Sequence, residues 1–102
     1  MSYIFIYITA PNKKEAEKIS SYLMKKRLIT CTNIFPIGSS YWWKNKIVKT
    51  KEYVLIAKTL EKNFEKVKKE VKRIHSYDIP CITKIRVEGN KEYENWVKEE
   101  IK

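Results

Sequence analysis

The chain holds one histidine, His75, and three further reactive side chains follow it closely: Tyr77 and Asp78, then Cys81 beyond Pro80. Imidazole and thiolate are the groups that hold zinc and copper, and an imidazole beside a phenol and a carboxylate can also move protons. Two readings of His75 stand side by side. It ends a helical repeat, so its ring could be satisfied by the last carbonyls and the helix dipole. Alternatively it is a metal ligand or a proton-transfer group, with Cys81 the nearest thiolate. That pair alone does not complete a zinc or copper shell, so a second chain would have to supply the remaining ligands. Lys58, between Ala57 and Thr59 at the end of an apolar run, adds a cation. It is either a strand-end lysine reaching for water or the charged wall of a pocket for an anionic ligand. Catalysis finds little support. With Gly38 and Gly89 the only glycines, no phosphate-cradling loop can be written. No nucleophile elbow or H-E-x-x-H occurs, so a non-enzymatic role is expected.

The elements that must position these groups centre on residues 39–59, SSYWWKNKIVKTKEYVLIAKT. Tyr41, Trp42, Trp43, Ile47, Val48 and residues 53–56 are strong strand formers. Lys44-Asn45-Lys46 is short and polar, and its asparagine tolerates a left-handed backbone, so a tight hairpin is expected there. The polar run 49–52 reads as a further bend or bulge before a strand over 53–59. Neighbours on a strand point to opposite faces, so covering both Trp42 and Trp43 means burying the ribbon on both sides.

Before the hairpin, residues 3–9 alternate aromatic and isoleucine, apolar on both faces like a central strand. Asn12 and Glu15 have the form of an N-cap with a reciprocating acid, opening a helix to about residue 26 with Ala16, Ile19 and Leu23 inward. A strand over 29–37 follows, with an interruption expected near Pro36 and Gly38. After the hairpin come an amphipathic helix over 61–75, a strand over 81–87, and a last helix over 91–101 with Tyr93, Trp96, Val97 and Ile101 on one face. Two βαβ-like halves around an antiparallel pair predict an α+β, ferredoxin-like sandwich with helices on one sheet face, filling one domain over 1–102. The other face would then be an apolar patch larger than soluble monomers tolerate, and a closed homo-oligomer would bury it.

Composition narrows the partners. The net charge of +10 could point to a polyanion, but only Arg27, Arg73 and Arg86 are arginines. Scattered lysines interleaved with glutamates describe a solvated face better than a phosphate-reading one. An RNA-binding module shares the fold class, yet the third strand lacks the glycine and aromatic signature of such a platform, so nucleic acid is not expected as a partner. No apolar run spans a bilayer, the first residues lack a signal-peptide pattern, and Cys31 and Cys81 lie fifty positions apart. A cytoplasmic protein with reduced cysteines buried as packing residues, and no membrane partner, is expected.

Several stretches together carry a resemblance: Thr9-Ala10-Pro11, residues 26–33, Tyr41-Trp42-Trp43-Lys44-Asn45-Lys46-Ile47, Lys58-Thr59, residues 75–80 from His75 to Pro80, and Trp96. In this order and spacing, over about residues 3–101, the sequence resembles the CutA family of divalent-cation tolerance proteins. The resemblance implies an interlocked homotrimer of ferredoxin-like subunits, cytoplasmic in prokaryotes and involved in the response to copper and other divalent ions. It implies no obligatory cofactor, with copper or another divalent cation as ligand. Some relatives have a copper site built from a first-strand cysteine and two adjacent histidines; the matching positions here are Ile8, Ile74 and His75. Ser76 stands where proline is usual, and Asn45 where glycine is common. A second reading is a ligand-sensing trimer resembling the PII regulators, with a cleft near Lys58, His75 and Tyr77.

Overall fold

The computed structural model describes residues 3–101. Strand β1 (Tyr3–Ala10) leads into helix α1 (Lys13–Lys25), and strands β2 (Cys31–Trp43) and β3 (Lys46–Leu60) form the long hairpin. A 3-10 turn (Glu61–Asn63) opens helix α2 (Phe64–Ile74), followed by strand β4 (Ile82–Arg86) and helix α3 (Lys91–Glu100). The strands pair antiparallel in the order β2-β3-β1-β4, the ferredoxin-like arrangement predicted.

Period-two alternation sorts the core. Ile4, Ile6 and Ile8 of β1 turn to one face with Leu55 and Ala57 of β3. There they meet Ile19 and Leu23 of α1 and Val67 and Val71 of α2. Tyr3 and Phe5 turn the other way, and the Tyr3 end of that second face packs with Leu60 against Val97 and Ile101. The last helix thus covers part of the face expected to be bare, because its apolar stripe has only that end left to cover. Asn12 caps α1 as predicted, its side chain accepting from the Glu15 N–H at 2.8 Å, but the Glu15 carboxylate turns to Ser76 instead of reciprocating. It ends on Arg27 in the left-handed region (φ 59°), while the Leu28 N–H reaches back to the Leu23 carbonyl.

The hairpin departs from expectation in two places. Pairing is unbroken from Cys31↔Lys58 to Trp43↔Lys46, with no interruption at Pro36 or Gly38 and no bulge at 49–52. Proline is tolerated because β2 is an edge strand. The polar run fits a strand because the ribbon there has water beside it. The turn is two residues, Lys44 and Asn45, both with positive φ, as the twist of a tight hairpin requires. Neither tryptophan is core within one chain: Trp42 is 71% exposed and Trp43 39%. The ribbon extends the molecule to 44 × 24 × 21 Å, with a radius of gyration of 14.2 Å. A compact chain of this length would measure about 13 Å.

Candidate ligand cavity and histidine corner

His75 follows the last turn of α2, its N–H donating to the Val71 carbonyl at 2.9 Å. Its side chain is fully buried. Nε2 lies 2.7 Å from the Thr9 carbonyl oxygen, and Nδ1 receives the Tyr77 N–H at 3.0 Å. A carbonyl can only accept, so Nε2 carries the proton and Nδ1 is the lone-pair nitrogen. Glu15 approaches Nδ1 at 3.4 Å, but the same carboxylate oxygen accepts from the Ser76 N–H and hydroxyl at 3.0 and 2.9 Å. Both ring nitrogens are thereby spent on tying the start of the connector to β1, with the Tyr77 ring 4.9 Å away.

These contacts bear directly on the predicted metal pair. His75 can ligate only by giving up a hydrogen bond, while Cys81, expected to be buried, is exposed beyond the end of the connector, its thiol 3.6 Å from the Thr83 hydroxyl. Among the described residues no group of three or more His, Cys, Asp or Glu side chains gathers as a metal site. Ile8 is sealed in the core, and neither it nor Ile74 offers a donor atom. The residues at the family's copper position therefore do not fit a copper centre within one chain.

Lys58 is half-buried near the end of β3. Its ammonium lies 5.4 Å from the Phe5 ring and 5.5 Å from the Tyr93 ring, a cation held between aromatic faces. Tyr93 in turn has its hydroxyl 3.4 Å from the Cys31 thiol, and burial, then that contact, pushes its ionisation above the ordinary range. Trp96 packs on Tyr93 at 5.4 Å and stays partly exposed. These residues form a structural cluster under α3.

Tyr77 and Asp78 are instead brought to a cavity of about 670 Å³ between the hairpin and the 77–81 connector. Tyr41, Trp42 and Trp43 form one wall; Asp78, Ile79 and Cys81 form the other, with Pro80 half-buried between them. Lys58 and His75 do not line it. At its floor the Tyr77 hydroxyl donates to Glu52 Oε2 at 2.6 Å, and Glu52 is only 6% exposed. Burial, reinforced by that carboxylate, raises the ionisation of Tyr77 well above its usual value. Sequence reasoning missed Glu52. The signal was present: it shares the strand register of Val54 and Ile56, an acid on an apolar face.

Comparison with known proteins agrees with this architecture. Residues 4–100 match the family described as CutA1 divalent ion tolerance protein. The divalent-cation tolerance protein CutA of Archaeoglobus fulgidus is 48% identical over 98 residues, 95% of this chain and 96% of that protein. Its counterpart in Pyrococcus horikoshii is 41% identical, covering 97% and 98% of the two chains. Among solved structures, the periplasmic divalent cation tolerance protein CutA from A. fulgidus superposes with a TM-score of 0.96 at 46% identity, covering 98% and 99%. CutA1 from Oryza sativa gives 0.95 at 33% identity, covering 100% and 95%.

Proposed function

The chain belongs to the CutA1 divalent ion tolerance family, and from that premise we propose that it acts as a homotrimer in the response to divalent cations, by association and weak cation binding rather than by catalysis. The observation that carries association is the incomplete burial of a single chain. Trp42, Ile47 and Ile79 stand in water along the ribbon and connector, and Phe35 and Ile85 are also exposed. The chain exposes 6799 Å², whereas a compact monomer of its mass would expose about 6,100 Å². Copies packed ribbon against sheet would cover these side chains. Light scattering at micromolar concentration is expected to give three times the chain mass; a mass near 12.3 kDa would sink the proposal.

Cation binding in this reading is weak and does not run through His75, whose two ring nitrogens are held by Thr9 and Tyr77. Cytoplasmic residence is part of the same proposal, supported by two free cysteines, and cell fractionation tests it. A ligand-sensing role is the second reading, and the aromatic cavity between hairpin and connector favours it. A small molecule that raises the melting temperature in metal-free buffer would support that role.

A further inference from the structure

The cavity beside Tyr77 has a charge opposite to that of the chain around it. The protein carries +10, yet among the described residues no lysine or arginine lines this space. Two carboxylates do, Glu52 and Asp78, with the rings of Tyr41, Trp42, Trp43 and Tyr77. Glu52 is the telling residue. Its Oε2 is taken by the Tyr77 hydroxyl, while among the described residues Oε1 has no hydrogen-bond partner. No buried side-chain oxygen of the described residues is sealed away unpaired, so Oε1 keeps accessible surface, and Glu52 lines the cavity. A nearly buried carboxylate with one oxygen unpaired, at the wall of an aromatic cavity, is a place for positive charge.

Which cation fits follows from the walls. A bare divalent ion wants several oxygen, nitrogen or thiolate donors converging at short range, and no such group forms here. Aromatic faces instead attract a weakly hydrated organic cation through their ring quadrupoles, most strongly tryptophan. The volume lies within the range of small-molecule sites, roughly 300–1,000 Å³. We propose that the chamber formed by Trp42, Trp43, Tyr41 and Tyr77 over Glu52 binds a small organic ammonium ion. The charged head meets Glu52 Oε1 and the rings, and Asp78 at the rim adds long-range attraction. A second copy covering Trp42 would close the chamber's outer side. This deepens the ligand-sensing reading by assigning the ligand's charge.

Tryptophan fluorescence of a Trp96→Phe variant, whose emission comes from Trp42 and Trp43, provides the assay. Choline is the probe, its uncharged carbon isostere the control, and sodium chloride sets matched ionic strength. Saturable quenching by choline is expected, with the isostere weaker by about tenfold or more, the scale of one desolvated cation–aromatic contact. Glu52→Gln, which keeps an acceptor for Tyr77, is expected to lose that preference, while Glu65→Gln on exposed α2 keeps it. Equal binding of choline and its isostere would overturn the charge assignment and leave ligand binding standing. No saturable quenching by either would overturn both.

Discussion

Trp42→Ala is the sharpest test of association, because in one chain this ring is mostly in water. A tryptophan offers up to about 250 Å², and 71% of that surface is exposed at Trp42. Covering the resulting ~180 Å² at ~25 cal/mol per Å² contributes about 4 kcal/mol. Alanine retains part of the contact, so the substitution should cost about 3 kcal/mol per chain, roughly a hundredfold in association. The cost should appear in assembly and not in the chain's own fold, since Trp42 belongs to neither buried cluster. Sedimentation velocity over a dilution series reads the first quantity, and far-ultraviolet circular dichroism of the dissociated chain reads the second. Wild type and variant dissociating at the same concentration would refute the reasoning, as the ring would then remain in water in the assembly.

Three further outcomes are expected. Tyr77 binds its proton more tightly folded than unfolded, so its share of stability is complete below pH about 10 and is lost as pH rises beyond it. Tyr77→Phe should flatten that alkaline fall in a denaturant titration and cost about 1–3 kcal/mol at neutral pH, because Glu52 loses its donor. Thr59→Val should cost about 1–2 kcal/mol in the same assay: the buried hydroxyl donates to the Leu28 carbonyl at 2.6 Å and accepts from Asn63 at 3.3 Å. In calorimetric copper titrations, His75→Ala should leave the already weak affinity within about threefold and Cys81→Ser should do the same; a larger loss in either would restore that residue as a ligand.

What was legible in the sequence follows from how local each cause is. Ile4, Ile6 and Ile8 announce their face by alternation alone, and Asn12 announces the start of α1, since each rule acts over a few residues. The hairpin turn was legible at Asn45 for the same reason. Its continuity was not: whether Pro36 breaks a strand depends on that strand lying at an edge, which only the full sheet order decides. The site shows the same division more sharply. His75, Tyr77 and Cys81 are close in sequence and invite one shared chemistry, yet their reactive atoms take different partners. The imidazole goes inward to Thr9, the phenol to Glu52 and the thiol to the surface. Glu52 meets Tyr77 across twenty-five positions, and no local spacing reports such a pair. Its misplaced charge on an apolar strand face was the only mark it left. Burying an acid there is costly unless a donor or a cation meets it. Tyr77 satisfies one oxygen, and the open second oxygen is the reason to look for the cation.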